Sequence, residues 1–348
     1  MLLSNLLKVI SVNKTYNFNK NKYFSAITSN SKFTNDKTLF IYDKNTKLKK
    51  IYLDEVLKNK TPAIISNKYI NNLKIPQFVV SNIRLETTSL LNNLHNTFPF
   101  KTIAITGTNG KTSVVWYISK ILNSLEYNNT IVGTLGHFIN GKKINDINLT
   151  TPAYEELFKY GSSNKKEKNI YIFEASSHAL EQNRLRNYPI NIAAITNISK
   201  DHLDYHKTFS NYKKSKIKLF TNHLENNGFA IINSRIKILS ELKKKLIKKN
   251  IKLKYYGNKS IKLIKINDYV YLNINNKKYK LENLNLKTNI ELENLECAIT
   301  CCLALNINQS KIVKVLSKVT NPLGRLQTIE YKKKKSKIII DYAHTPDA

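Results

Sequence analysis

The chain has 348 residues, long enough for two or three domains around a substantial core, and its 41% hydrophobic content fits a globular protein. A formal net charge of +33 would ordinarily point to nucleic acid or an anionic membrane, yet the lysines are spread over almost the whole chain among abundant Asn and Ile. That spread reads as compositional drift; with no recognition motif beside it, no nucleic-acid partner is expected, and runs such as Lys243-Lys244-Lys245 and Lys332 to Lys335 are expected to be solvated.

At the N-terminus Leu2, Leu3, Leu6, Leu7 and Ile10 form a helical stripe too short and too polar for a signal peptide or a membrane span. No other long apolar run follows, so a cytoplasmic protein without membrane insertion is expected. Strands are predicted at Thr38 to Tyr42, Ala63 to Ser66 and Gln77 to Val80, and helices at Leu53 to Lys58 and Ser81 to Leu94. This α/β pattern makes a small first domain, residues 1–97, ending at the Pro-containing link Asn96-Thr97-Phe98-Pro99-Phe100. Within it, Asn30-Ser31-Lys32 reads by itself as a turn before a strand.

Thr102 to Leu125 is the segment with the plainest chemistry. Thr102 to Thr106 is a β-branched run suited to a buried parallel strand, while Val114, Val115, Ile118, Ile121, Leu122 and Leu125 recur at helical spacing. Between them Gly107-Thr108-Asn109-Gly110-Lys111-Thr112-Ser113 has the make-up of a phosphate cradle. Its glycines allow close backbone approach, its N–H groups sit at a helix start, Lys111 adds a point charge and Thr112 a hydroxyl for Mg²⁺. The general P-loop pattern is incomplete, with Ile105 where its first Gly would stand.

A βαβ rhythm continues the central domain, residues 98–322. Thr130 to Thr134 is a strand, a polar hairpin or loop leads to Leu149-Thr150-Thr151-Pro152, and Pro152 can open the next helix. Ile170 to Phe173 is a strand that ends at Glu174 and then Ala175-Ser176-Ser177-His178; Ile192 to Ile195 repeats the arrangement ahead of Asp201, His202, Asp204 and His206. Carboxyl ends of parallel strands open onto ligand crevices, so these polar residues are metal-competent, and their oxygen-rich surroundings favour Mg²⁺ over zinc. Tyr212 to Phe220 is an amphipathic helix whose lysines, on pattern alone, form a solvated face. Gly228 to Ile232 is a strand, Tyr269 to Ile274 and Lys278 to Leu281 a hairpin, and Leu292 to Leu305 a helix carrying Asn294. Cys297, Cys301 and Cys302 lack metal-ligand spacing and read as small core residues. After Gly324-Arg325 come the strands Leu326 to Tyr331 and Ile338 to Ile340, then Asp341-Tyr342-Ala343-His344-Thr345-Pro346-Asp347-Ala348. Residues 323–348 are expected to begin a further domain whose covering helix lies beyond the sequence.

Taken in this order, Thr106 to Thr112, Thr150-Thr151-Pro152, Glu174 to Leu180 with Gln182 and Arg184, Asp201 to His206, Gly324-Arg325 and Asp341 to Ala348 resemble the Mur ligases, specifically the MurE branch. The resemblance covers essentially the whole chain. It implies a three-domain α/β architecture: a small N-terminal domain, a central P-loop parallel-sheet domain, and a Rossmann-like C-terminal domain of which only the start is present. It implies ATP, two Mg²⁺ ions and a carbamylated Lys216. Lys111, Lys216, Glu174 and His202 would be catalytic, and Thr112, Glu174, His202 and Lys216 would serve the metals. The loop Gly107 to Ser113 with Asn294, Arg325, Asp341 and His344 would hold the nucleotide, Ser31 the uridine end of the substrate, and Thr151, Ser176, Gln182 and Arg184 its muramoyl-peptide end.

The activity implied is ATP-dependent addition of a third residue, meso-diaminopimelate or L-lysine, to UDP-N-acetylmuramoyl-L-alanyl-D-glutamate through an acyl phosphate, by a monomer. Asn30 and Lys32 stand where the family commonly has Asp and Arg, Thr288 to Glu293 replace the usual residues before Asn294, and the segment that selects the amino acid would lie beyond Ala348. Alternatives are a folylpolyglutamate synthase-like or other Mur ligase, and a module that binds ATP and UDP-substrate without turnover.

Overall fold

In the computed structural model the described residues are 1–348 without 46–48, 97–98, 237–238, 258–260, 268, 287, 332–335 and 344–348. They fall into two units, Met1–Phe98 with Glu155–Ser162, and Pro99–Tyr154 with Ser163–Ala348. Of the link Asn96 to Phe100 expected to part the first two domains, residues 97–98 lie outside the described residues.

The first unit contains α1 (Leu3–Leu6), β1 (Lys14–Tyr16), β2 (Ala26–Thr28), β3 (Thr38–Tyr42), α2 (Lys50–Lys58), β4 (Ile64–Ser66), β5 (Gln77–Val79) and α3 (Ile83–Leu94). Its sheet runs β1-β5-β4-β3-β2, parallel except for β1 against β5. Strands β3, β4 and β5 and the two longer helices lie where apolar runs and helical spacing placed them, whereas β1 and β2 were not singled out and the leucine stripe at the N-terminus yields only one helical turn. Phe40, Val56, Ile64 and Leu73 close a small core between sheet and α2.

The second unit follows with β6 (Lys101–Thr106), α4 (Lys111–Ser124), β7 (Asn129–Gly133), β8 (Gly136–Ile139) and β9 (Lys142–Asn145). Helix α5 (Tyr154–Gly161) groups mostly with the first unit, where Glu155 accepts from the Ser29 hydroxyl at 2.6 Å. The chain continues through β10 (Ile170–Glu174), α6 (Ser177–Glu181), β11 (Ile190–Ile195), α7 (Leu203–His206), α8 (Phe209–Lys218), β12 (Leu224–Asn233), α9 (Leu239–Ile247) and β13 (Lys252–Tyr256). A three-stranded antiparallel sheet, β14 (Ile261–Ile266), β15 (Tyr269–Ile274) and β16 (Lys277–Leu281), precedes α10 (Asn289–Ala304) and α11 (Gln309–Val315); β17 (Gln327–Tyr331) and β18 (Ser336–Ile340) pair antiparallel as a separate ribbon.

The main sheet has the order β13-β12-β11-β6-β10-β7-β8-β9 and is parallel from β13 to β7. Central strands in such a sheet are covered on both faces, which is why β6 and β10 read as near-continuous apolar runs. Ile103, Ile105, Ile172 and Ala194 are fully buried, and α4 and α10 lie together over one face with Cys297, Cys301 and Cys302 at no exposure. Each buried isoleucine contributes about 1.5–3 kcal/mol of transfer free energy, enough in sum to fix where β6, β10 and β11 end. No helix among the described residues is long and apolar enough to cross a membrane.

Candidate functional site

Strand β6 stops at Thr106 and the chain turns through Gly107 and Gly110 into α4. Both glycines have positive φ, +149° and +83°. A Cβ on Gly107 would overlap Thr196 Oγ1, and one on Gly110 would overlap Asn294 Oδ1 and sit 3.1 Å from its Cγ, so the loop is both left-handed and closely walled. The segment after β11 straps it in place. Asn109 N donates to Asn197 Oδ1 at 2.9 Å, Thr108 N to Asn197 O at 3.0 Å, and Thr196 Oγ1 to Asn109 O at 2.5 Å. Thr108 Oγ1 lies 3.0 Å from the Tyr212 hydroxyl and accepts from Ser199 N at 3.0 Å. A loop held at so many points keeps its N–H groups in one arrangement, as a preorganised anion cradle requires.

Two lysines meet at the same carbonyl. Lys111 Nζ donates to Gly107 O at 2.9 Å and Thr108 O at 2.8 Å, and Lys216 Nζ, reaching in from α8, donates to Gly107 O at 2.7 Å. Burial lowers the pKa of Lys111 from the ordinary lysine value, with the carboxylates of Glu174 and Asp201 working the other way. Burial and then the charge of Lys111 hold Lys216 well below the lysine range against the pull of Asp201. Lys216 is only 1% exposed, so the lysines of α8 do not all form the solvated face that the pattern suggested.

Glu174 ends β10, next to β6, and its carboxylate is 1% exposed. Thr112 Oγ1 lies 3.1 Å from each of its oxygens, and Thr134 N donates to Oε1 at 2.7 Å. Burial raises its pKa, while Lys111, the Thr134 N–H, Thr112 and Arg325 oppose the rise. A hydroxyl and a buried carboxylate beside a phosphate cradle are the hard oxygen donors a small divalent cation takes. The first-ion donors therefore fit. For a second ion Lys216 as an ammonium offers only donors, so it fits only when converted to an anionic carbamate. Among the described residues no cluster of three or more His, Cys, Asp or Glu could hold a metal by itself.

His202 adopts φ +50° at the start of α7, with its N–H donating to Asp201 Oδ1 at 2.8 Å. Its ring stands 4.8 Å from that of His178 and 6.4 Å from Tyr212, the residue that joins Thr108 and carries Lys216 Nζ 4.4 Å from its ring centroid. His206 lies beside Tyr212 with a buried Nε2 that has no hydrogen-bond partner among the described residues. Burial lowers the pKa of both His178 and His206.

Thr151, Ser176, Gln182 and Arg184 form one network behind Glu174. Thr151 Oγ1 donates to Glu174 O at 2.8 Å and accepts from Ser176 N at 2.8 Å. Arg184 donates from Nη1 to Thr151 O at 3.1 Å and from Nε and Nη2 to Gln182 Oε1 at 2.9 and 2.6 Å, and Gln182 reaches the Tyr205 hydroxyl at 3.2 Å. On the other side of the loop a cleft of about 370 Å³ is lined by Asn109, Gly110, Asn294, Arg325 and Asp341 among others. Arg325 lies over the Tyr342 ring at 4.6 Å and approaches Thr112 Oγ1 at 3.5 Å. Asp341 accepts from Leu326 N and Ala343 N, each at 2.7 Å, and so fastens this corner. His344 lies outside the described residues. Ser31 belongs to the first unit, where its hydroxyl donates to the Glu55 carboxylate.

Sequence reasoning missed Thr134, Asn197 and Tyr212. Thr134 stands directly after β7 and Asn197 two residues after β11, close to the strand-end position that singled out Glu174, and both could have been found by that rule; nothing local distinguishes Tyr212 on its helix.

A model of the Mur ligase middle domain matches residues 105–302. The chain is 34% identical over 337 residues to the UDP-N-acetylmuramoyl-L-alanyl-D-glutamate--2,6-diaminopimelate ligase of Rickettsia conorii, spanning 93% of this chain and 69% of that protein. It is 32% identical over 352 residues to the protein of the same name from Wigglesworthia glossinidia brevipalpis, again with 93% and 69% coverage. A solved structure of a UDP-N-acetylmuramoyl-L-alanyl-D-glutamate--2,6-diaminopimelate ligase superposes with a TM-score of 0.76 at 24% identity, over 100% of this chain and 72% of the other, and shows the shared fold. With a family model matched over more than half its length and relatives above 30% identity along nearly all of it, the chain belongs to the Mur ligase family.

Proposed function

We propose that this chain is an ATP-dependent acid–amino-acid ligase that joins 2,6-diaminopimelate to UDP-N-acetylmuramoyl-L-alanyl-D-glutamate in peptidoglycan synthesis, the reaction its relatives are named for. The observation that carries this reading is the convergence of Lys111, Lys216, Thr112 and Glu174 around the Gly107 turn. Two cationic side chains, a hydroxyl and a buried carboxylate at adjacent strand ends suit phosphoryl transfer, where positioning and charge stabilisation do most of the catalysis.

In this reading the backbone of Gly107 to Ser113 cradles the phosphates and the third N–H of Lys111, not used by Gly107 and Thr108, turns to them. Asn294, Arg325 and Asp341 face the nucleoside part in the cleft. Thr151, Ser176, Gln182 and Arg184 orient the muramoyl-peptide, with the Arg184 guanidinium suited to a substrate carboxylate. Ser31 serves the uridine end. Mg²⁺ held by Thr112 and Glu174 would supply charge neutralisation to the phosphoryl oxygens. Lys216, carbamylated by addition of its neutral amine to CO₂ with loss of a proton, and His202 would provide donors for a second ion. ATP's γ-phosphoryl group passes to the D-glutamyl carboxylate, and the amine of the diamino acid then displaces phosphate from the acyl phosphate. Residues 1–97 are read as the UDP-substrate domain, 98–322 as the ATP domain and 323–348 as part of the ligase domain of a cytoplasmic monomer.

Calorimetric titration of Mg²⁺ with a non-hydrolysable ATP analogue, and separately of the UDP-substrate, tests this beside a phosphate-release assay. Binding of both ligands is expected; turnover with folate and glutamate but not with the muramoyl dipeptide would overturn it. Under ¹³CO₂ a carbamate resonance should appear in the NMR spectrum and vanish in Lys216→Ala.

A further inference from the structure

Part of the +33 net charge, scattered in sequence, gathers on one face of the small antiparallel sheet. Strands β14, β15 and β16 contain five lysines and no acidic residue. Asn275 and Asn276 take φ of +47° and +66°, the two-residue turn that joins β15 to β16 and fixes their register. Along β15, Val270, Leu272 and Ile274 then point into the core shared with α10. The alternate residues, Tyr269, Tyr271 and Asn273, form the outer face, where Tyr269 is 49% exposed.

The register sets lysines among these rings. Tyr271 stands opposite Lys280 and Asn273 opposite Lys278 on β16, while Lys262 on β14 stands opposite Asn273 from the other side. Diagonal neighbours meet: Lys280 Nζ lies 3.7 Å from the Tyr269 ring centroid and Lys278 Nζ 4.2 Å from that of Tyr271. The two tyrosines are two residues apart on one strand, so the sheet carries them about 7 Å apart. One face thus presents two aromatic platforms, each beside an exposed lysine, with no carboxylate on any of the three strands.

A polyanion that carries planar groups complements such a face. A base that takes the face of a tyrosine ring frees the lysine lying over it to meet the neighbouring phosphate, and a base stack outweighs the exposed cation–π contact it replaces. The bases of a duplex are already stacked on one another and offer no free face. An anionic lipid surface would engage the lysines but rewards apolar side chains that project, whereas Ile264 and Tyr271 are half-buried in the sheet. We propose that the outer face of β14, β15 and β16 binds single-stranded nucleic acid, with Tyr269 and Tyr271 stacking on bases and Lys262, Lys278 and Lys280 contacting phosphates. None of these residues lines the nucleotide cleft, and binding here is independent of the ligase reading.

Fluorescence anisotropy of labelled oligothymidylate and oligouridylate, beside a labelled duplex, tests it at a salt concentration that screens the general attraction of so basic a chain. The parent is expected to bind a single strand more tightly than the duplex, and the tighter of the two single strands tells DNA from RNA. Tyr269→Ala combined with Tyr271→Ala leaves the charge unchanged and should weaken binding roughly tenfold or more. Lys278→Ala combined with Lys280→Ala should weaken it too and flatten the log–log salt dependence by about one unit. Lys243→Ala combined with Lys244→Ala removes the same charge from α9 and should change affinity by less than roughly threefold. A parent that prefers the duplex, undiminished affinity in the tyrosine pair, or equal losses in the two lysine pairs would overturn the proposal. Tyrosine-dependent binding to phosphatidylserine vesicles without binding to either single strand would overturn it as well. Thermal melts establish that each variant is folded; if the alanine pair is not, Tyr269→Leu with Tyr271→Leu, which keeps an apolar side chain and loses the ring, is judged by the same outcomes.

Discussion

Gly133, the last residue of β7, has no left-handed backbone to explain it, yet the site leaves no room there for a side chain. A Cβ would overlap Glu174 Oε1 and lie 2.7 Å from Cγ and 2.8 Å from Cδ. Gly133→Ala must therefore either strain the strand, at a cost of about 1–3 kcal/mol for overpacking, or push the carboxylate off Thr134 N and Thr112, at about 1.5–3 kcal/mol for a hydrogen bond to a charged group. Against this, replacing Gly by Ala in a strand recovers about 0.5–1 kcal/mol, so the net loss should be about 1–2 kcal/mol. The functional effect should be larger than the loss of stability. A carboxylate moved by about 1 Å is a poor cation ligand, and affinity for the Mg²⁺-bound ATP analogue should fall at least roughly tenfold. The assay is chemical denaturation together with calorimetric titration, on Gly133→Ala, Glu174→Ala and the double variant. Truncating Glu174 at Cβ takes away Cγ, Cδ and Oε1 together and so removes the overlap, and the double variant should be more stable than the sum of the single effects predicts. Strict additivity, or parental nucleotide affinity in Gly133→Ala, would refute the steric reasoning.

Three further outcomes follow from the same geometry. Burial pushes the Glu296 carboxyl from 4.5 up to about 7, against the pull of Leu263 N–H and Arg235. A carboxyl raised in the folded state contributes stability that is fully present below its unfolded pKa and lost as pH rises through the folded one. Glu296→Gln should therefore gain on the parent by up to about 3 kcal/mol between pH 4.5 and pH 8, and a pH-independent difference in denaturation would contradict the assignment. Thr288→Ala removes the hydroxyl that accepts from Glu291 N at 3.2 Å and should cost about 1 kcal/mol; an unchanged denaturation midpoint would count against the cap. Gly107→Ala should abolish nucleotide binding, because the new methyl meets Thr196 at a φ of +149°, and calorimetry showing retained affinity would sink the cradle.

Much of the central sheet was legible because its strands are buried on both faces and so appear as uninterrupted apolar runs. The phosphate loop was legible because its residues are contiguous. The lysine-rich stretches hid more. Lys252–Tyr256 and Ile261–Ile266 form strands β13 and β14 that the sequence reading did not single out, since alternating Lys weakens the apolar signal at a sheet edge and in a small antiparallel sheet. Lys243, Lys244 and Lys245 do lie exposed, on α9. Lys216 looks like its neighbours in sequence, and only the tertiary approach of α8 to Gly107 separates it from them. Asn294, expected at the nucleotide, stands with its amide against Gly110 and lines the same cleft.

A crystal structure of the chain with Mg²⁺ and a non-hydrolysable ATP analogue tests the central claim most directly. The account predicts the terminal phosphates over Gly107 to Thr112 within reach of Lys111, and a cation bound by Thr112 Oγ1 and Glu174. A nucleotide lodged elsewhere, or a cation that leaves Glu174 uncontacted, would contradict it.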